Sequence, residues 1–375
     1  MSARFAAATA TGDTARLASR CIAGLAVIDD ANFGVVYVTE PVASTLPDML
    51  RELSAHTGVK SWVGGVGLGV CSAENEIFEE PAAVVLTAAL PDDSFHVFGA
   101  TKDPGSDLPR QHAAWIAKSE PALALVHADP RCPDLTKAMV DVASASGAFL
   151  VGGLVSHRCE SPLVAATAGA KGLGAHGLAG VMLAPQVAVA TSLSQGCMPI
   201  GPVHRVDEAR DNVVTVIDGR PALSVFLEDI GPELGQDLRR LGGVVFAGLP
   251  VSGSDTGDYL VRNLMAIDPS RGWVVLAAEI AAGDQILFCR RDPRSAHADM
   301  VRMVRQLAGR IGGPPKAGIY VSCIARGANL FGEPGVETRL IRENIGEFPL
   351  IGFFANGEIS RDRLYGHTGV LTLFT

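Results

Sequence analysis

No stretch of this chain approaches the ~18 uninterrupted apolar residues that a membrane-crossing helix needs. Met1 to Arg20 lacks the apolar core of a signal peptide, because Arg4, Asp13 and Arg16 interrupt its small residues. A cytoplasmic protein without membrane insertion is the expectation. Lys and Arg form no run and total 31 against 40 Asp plus Glu, a net charge of −9. Phosphate backbones need clustered cations, so nucleic acid is excluded as the main partner. Cysteine is sparse and odd in number, seven in 375 residues, which is no disulfide framework and implies free thiols. Neither His-x-x-x-His nor Cys-x-x-Cys occurs, so a zinc site has no support. A Gly-x-Ser-x-Gly elbow and an ordered Cys-His-Asn set are also missing.

What is present is a hydrophobic fraction of 48%, enough for a sizeable core, and a repeated pattern. Four segments follow one plan: an apolar strand, an amphipathic helix closed by Gly, and a second strand carrying Gly. The first runs from Gly34–Thr39 through a helix face of Leu46, Met49, Leu50 and Leu53 to Gly58 and Trp62–Val66. The second runs from Leu123–His127 through Leu135, Ala138, Met139 and Val142 to Gly147 and Phe149–Gly153. Both helix faces have the i, i+3, i+4, i+7 spacing of a buried stripe. The third segment links Val213–Ile217 to Gly242 and Val244–Gly248, and the last links Ile319–Cys323 to Gly346 and Leu350–Phe354. Each half adds a strand and a helix, Phe95–Phe98 with Arg110–Lys118 and Gln285–Cys289 with Pro293–Arg310. The latter starts on an Asp292-Pro293 cap and buries Met300, Met303, Val304 and Leu307.

These β-α-β units favour right-handed crossovers between parallel strands with antiparallel strands appended. The predicted fold class is α/β with mixed α+β character. It comprises two similar domains of β-α-β-β units, with mixed sheets flanked by helices and an approximate internal two-fold. The predicted division is an N-terminal extension over 1–30, a first domain over 31–205 and a second over 206–375.

Ligands of such sheets collect outside the carboxyl ends of the strands. In the last segment that end reads Ser322-Cys-Ile-Ala-Arg-Gly327, so Cys323, Arg326 and Gly327 are expected to bind an anionic or amphoteric ligand. The competing expectation is that Cys323 packs and Arg326 pairs with Glu337 or Glu343. Gly352 permits close approach by a ligand or a neighbouring strand. Beyond it, Asn356-Gly357 reads as a turn, and Glu358 and Arg326 together suit the amino and carboxylate groups of a free amino acid. Cys71-Ser-Ala-Glu-Asn-Glu-Ile77 is a weaker echo of this run. Cys197, in Gly196-Cys-Met-Pro-Ile-Gly201, is a further ligand-facing thiol. Gly64-Gly-Val-Gly-Leu-Gly69 lacks the Lys-Ser/Thr ending of a phosphate loop and is better explained by the repeat. Haem needs one axial ligand and an apolar pocket, and His157, His176, His204 and His367 lie in or near turns where they could serve.

Four motifs together resemble the FIST family: Gly196–Gly201, Asp218-Gly-Arg-Pro-Ala-Leu223, Cys323-x-x-Arg-Gly327 and Gly352-Phe-Phe-x-Asn-Gly-Glu-Ile359. The first, with the Gly-rich segment from Trp62, resembles the N-terminal FIST domain, and the others the C-terminal one, covering about Phe33 to Phe374. Where the family often has a compact Gly-Cys-Ser-x-x-Gly-Glu-Ile run, this chain reads Gly67-Leu-Gly-Val-Cys-Ser-Ala-Glu-Asn-Glu-Ile77. The resemblance implies a bacterial sensory input domain for small ligands such as amino acids, with haem-based nitric oxide sensing in some relatives. The two halves fill the chain, so a separate output protein is the expected partner. A thiol-dependent enzyme built on Cys323 or Cys197, or an interaction scaffold, are the alternatives.

Overall fold

The computed structural model of the chain describes residues 3–156, 158–160, 162–167, 172–251 and 258–375. They form mixed and antiparallel sheets flanked by helices, the expected α/β class, in two compact units that are not consecutive in the chain. One comprises Met1–Ser194, Met300–Leu364 and Thr368–Thr375; the other comprises Gln195–Asp299 with Tyr365–His367.

Three of the four predicted segments are gathered in the first unit as β-α-β repeats. Repeat I joins a lead strand, Phe33–Thr39, through helix Leu46–Thr57 to a return strand, Ser61–Gly67. Repeat II has lead strand Leu123–Ala128, helix Leu135–Ser146 and return strand Phe149–Leu154. Repeat III has lead strand Ala317–Cys323, helix Val336–Ile345 and return strand Leu350–Ala355. In each, lead and return strands pair in parallel. The closing glycines Gly58, Gly147 and Gly346 sit at φ 76°, 71° and 102°, a region that costs other L-residues energy. One glycine of each return strand presses on the lead strand. A Cβ on Gly64, Gly152 or Gly352 would stand 1.8–1.9 Å from the carbonyl oxygen of Val36, Val126 or Tyr320.

Each repeat then gives its next strand away. Gly69–Ser72, following repeat I, pairs with the return strand of repeat III. Leu163–Ala166, following repeat II, pairs with that of repeat I, and Glu358–Ser360, following repeat III, pairs with that of repeat II. The exchange is cyclic, and an antiparallel strand also flanks each lead strand: Ala82–Ala89, Leu178–Leu183 and Thr368–Phe374. One face of every sheet joins a shared core that includes Tyr37, Val70, Leu163, Val321 and Phe353. The other face packs on the repeat's own helix: Leu46, Met49, Leu50 and Leu53 in repeat I, and Ala138, Met139 and Val142 in repeat II. Repeat III also recruits helix Pro293–Arg310 through Met300, Met303, Val304 and Leu307. Each such aliphatic side chain, fully buried, contributes about 1.5–3 kcal/mol of transfer free energy.

The third predicted segment departs from the plan. Val213–Ile217 and Val245–Pro250 do not pair; both belong to a closed antiparallel barrel. Its order is Gln285–Arg291, His204–Arg210, Val213–Ile217, Trp273–Leu276, Tyr259–Asp268, Val245–Pro250 and back to Gln285–Arg291. Helix Ala222–Gly235, broken at Gly231, packs Phe226 on Phe288 at 4.8 Å, and Gly242 caps no helix. Short apolar strands with closing glycines suit parallel and antiparallel pairing alike, so periodicity could not separate the two. Closure removes every sheet edge within the ring.

Candidate functional site

Repeat III carries a polar cluster at the carboxyl end of its lead strand. Strand alternation sends Tyr320 and Ser322 to the helix side and Val321 to the shared core, with Cys323 buried on the same face as Val321. On the helix side Glu337, fully buried on helix Val336–Ile345, accepts four hydrogen bonds. The donors are Tyr320 Oη (2.5 Å), Ser322 Oγ (2.9 Å), Arg326 Nε (2.7 Å) and the Gly327 amide (3.0 Å). Arg326 is itself fully buried; its Nη2 reaches Ser194 Oγ at 3.5 Å and its guanidinium lies over the Phe331 ring. Burial alone would lower its pKa, but the Glu337 charge holds it above its ordinary value. Gly327 adopts φ 53°, ψ −140°, a conformation restricted to glycine, and the Glu76 carboxylate lies beside it. Burial raises the Glu76 pKa to about 7, with the Glu337 charge adding to it.

Glu358 is the second centre. It is fully buried, and its Oε2 accepts from the Thr368 amide at 3.1 Å and from Thr368 Oγ1 at 2.7 Å. Its Oε1 has no conventional partner, only the thiol of Cys323 beside it, a weak donor. Burial raises its pKa to about 8, although Thr368 and the Arg326 charge pull the other way. The carboxyl group is therefore mostly protonated near neutral pH, and Arg326, the cation that acts on it, is already paired with Glu337.

The register shows how unusual this is. One row of each sheet aligns a lead residue, a return residue and an exchanged residue: Tyr37, Gly65 and Leu163; Val321, Phe353 and Val70; His127, Gly153 and Glu358. Leu163 and Val70 are ordinary core side chains, whereas the third equivalent position holds a glutamate. His127 is the other polar member. Its Nε2 shares a 2.8 Å hydrogen bond with Tyr37 Oη, its Nδ1 has no partner, and burial lowers its pKa to about 3.

The family follows from the whole chain. Residues 32–220 match the FIST N domain and residues 222–361 the FIST C domain. The chain belongs to the FIST family. Among its relatives is a Mycobacterium tuberculosis (strain ATCC 25618 / H37Rv) protein described as "Uncharacterized protein Rv0628c". It is 30% identical over 342 residues, 87% of each chain. The Mycobacterium bovis "Uncharacterized protein Mb0898c" is 30% identical over 332 residues, 83% of this chain and 82% of its own. FIST domains are associated with signal transduction and small-ligand sensing.

Within this FIST protein, the structure brings Cys323, Arg326, Gly327 and Glu358 together and separates the rest. Arg326 was expected to face a ligand carboxylate; its Nε is instead committed to Glu337, the competing expectation. Gly352 is taken up by strand packing against Tyr320 and the Cys71 thiol, the neighbour rather than the ligand. The Asn356 side chain is exposed in its turn, with its amide donated to Leu154 O at 2.9 Å. Cys197 belongs to the barrel unit, buried beside Cys289, where hydrogen bonding between the thiols and burial raise the Cys289 pKa.

Of the haem-ligand candidates, His157 lies outside the described residues. His204 is engaged at both ring nitrogens, Nδ1 with Asp218 at 2.7 Å and Nε2 with Asp229 at 2.9 Å, leaving neither for iron. His176 is exposed, and His367 is half-buried with its ring tilted against Phe246, centroids 4.4 Å apart. These arrangements do not fit a haem ligand in an apolar pocket, and no step is built on haem. No helix among the described residues is long and apolar enough to cross a membrane.

Sequence reasoning missed the roles of Tyr320, Ser322, Thr368 and Ser194. Alternation along Tyr320-Val-Ser-Cys323 was the signal available for the first two, since i and i+2 share a face. Ser194 approaches from a distant part of the chain, and Thr368 across the Arg363–Tyr365 strand that follows Glu358, and neither left a local signal.

Proposed function

We propose that this protein is the ligand-binding component of a signalling system. Its ligand is an amino acid or related amine-bearing metabolite, received at the carboxyl end of the repeat III lead strand. The observation that carries this reading is Glu358, a fully buried carboxyl group with one oxygen met only by the weak Cys323 thiol, where both equivalent positions are aliphatic. Burying a polar group without its full set of hydrogen bonds costs about 1–3 kcal/mol, so a fold has no use for it unless something else takes up the oxygen. In this reading a ligand ammonium donates to Glu358 Oε1 as the carboxyl proton is released to solvent, leaving an ammonium–carboxylate pair. Cys323 lines the approach, and Arg326, fixed by Glu337, sets the positive potential that orients any ligand carboxylate. Output passes to a separate protein in the cytoplasm.

A thermal-shift screen against amino acids, their decarboxylated amines and related metabolites tests the reading. A ligand at ~100 times its Kd adds roughly 2.7 kcal/mol of stability. The response should be lost in Glu358→Gln and weakened in Cys323→Ser. Hits of unchanged affinity in both variants would place the ligand elsewhere.

A further inference from the structure

We infer that the groove beside the N-terminal strand, Arg4–Thr11, receives an extended, basic segment of a partner protein that adds to the sheet as a further strand. Among the described residues Arg4–Thr11 pairs on one side only, with Ala82–Ala89, and ends its six-stranded sheet. Natural proteins blunt such edges with Lys, Pro or bulges. Ala7-Ala-Thr-Ala-Thr11 carries no Lys or Pro, and its pairing with Ala82–Ala89 runs without a register shift. Facing it across the groove is the Ser72–Ile77 turn, which leads into Glu76–Phe78, the last strand of another sheet and likewise an edge.

The space between them is an open groove of about 720 Å³, floored by Phe348, Pro349 and Leu350. Five consecutive residues of the edge, Ala7–Thr11, line it. At ~3.4 Å per residue that accommodates a strand of about five residues. The alanines contribute almost no side-chain bulk, which suits the close backbone approach of strand addition, and Arg20, which donates to Thr11 O, marks where the added ladder stops.

Charge selects the occupant. The lining includes Glu74, Glu76 and Glu80 and no Lys, Arg or His. Glu74 and Glu80 are exposed at the rim, and no cation pairs with either among the described residues. The buried Arg326 and the half-exposed Arg339 both act on Glu76, so the rim pair carries the uncompensated charge. A strand with Lys or Arg at alternate positions pairs its backbone with the edge and sets its cations against Glu74 and Glu80. A second copy of this chain would bring the same glutamates face to face, which opposes self-pairing.

The probe is a fluorescent nine-residue peptide of alternating valine and lysine, titrated into the full chain and followed by anisotropy. We expect saturable binding that weakens at least about tenfold when alternate peptide nitrogens are methylated, because methylation removes the ladder donors without changing charge. It should weaken by about tenfold in a Glu74→Gln/Glu80→Gln double variant, whose fold is checked by circular dichroism, and fall with added salt. No saturable binding, equal affinity for the methylated peptide, or equal affinity for a valine–glutamate peptide would each overturn the inference. So would sedimentation showing a dimer of the chain that excludes the peptide. None of these outcomes bears on ligand binding at Glu358, which the thermal-shift screen reads separately.

Discussion

Repeats I and III share strand order, helix position, closing glycine and packing glycine, yet they finish differently. Repeat I's lead strand ends at Thr39, whose hydroxyl donates to Glu80 O at 2.7 Å and accepts from the Ala82 amide at 2.8 Å. That end is closed by its own backbone. Repeat III ends at Cys323, followed by a buried Arg326–Glu337 pair and approached by a buried Glu358. The difference teaches that the scaffold does not need charge at this end. Repeat III adds a buried charged network at a strand end that repeat I closes without charge.

The largest effect should come from removing the acceptor of four donors. Glu337→Ala leaves Arg326 buried without its counter-charge and should cost about 3–5 kcal/mol by urea denaturation, with no counterpart in repeat I. Next is the feature all repeats share. Gly64→Ala, Gly152→Ala and Gly352→Ala each drive a methyl into the lead strand, and each should cost up to about 3 kcal/mol. A markedly smaller cost at Gly352 alone would break the equivalence of the repeats.

A pH dependence sharpens the comparison further. Glu358 has a folded pKa raised to about 8 from the ordinary 4.5, so the native state holds a proton that the unfolded state has released between these values. Its contribution is fully present below pH 4.5 and is lost as pH rises through about 8. Glu76, raised to about 7, acts in the same direction. In the barrel unit burial works against His204's charge, but Asp218 and Asp229 hold its pKa above the ordinary value of 6.5, again favouring the protonated native state. His127, its pKa lowered to about 3 by burial, opposes these groups up to its unfolded value of 6.5, so the net fall in stability with rising pH is expected between about 6.5 and 8. Glu358→Gln should flatten the curve by a slope of at most about 1.4 kcal/mol per pH unit. The smallest effect belongs to Asn356→Ala, exposed in its turn, which should shift stability by less than about 0.5 kcal/mol and leave ligand affinity unchanged.

Much of this architecture could be read before any coordinates. The helix faces at Leu46–Leu53 and Leu135–Val142 and the closing glycines Gly58, Gly147 and Gly346 are local signals, and the structure carries them as read. Strand exchange is not local. Nothing in Glu358-Ile-Ser360 says that it pairs with Gly153 rather than with its own repeat. The Val213–Gly248 segment was misassigned for the same reason, since antiparallel closure with Gln285–Arg291 is decided by tertiary pairing. Cys323, Arg326 and Glu358 stood out because a strand end is a known place for ligands. Arg326's commitment to Glu337 was visible as one of two options, and burial decided between them.

The central claim is that Glu358 is a protonated, incompletely bonded carboxyl group held ready for a ligand. Infrared difference spectroscopy of the wild type against Glu358→Gln, near pH 6 where the two proton affinities straddle the measurement, tests it directly. The account predicts a protonated-carboxyl carbonyl band in the wild type that is absent from the variant and disappears as pH rises through about 8. A difference spectrum showing only an ionised carboxylate near pH 6 would contradict it.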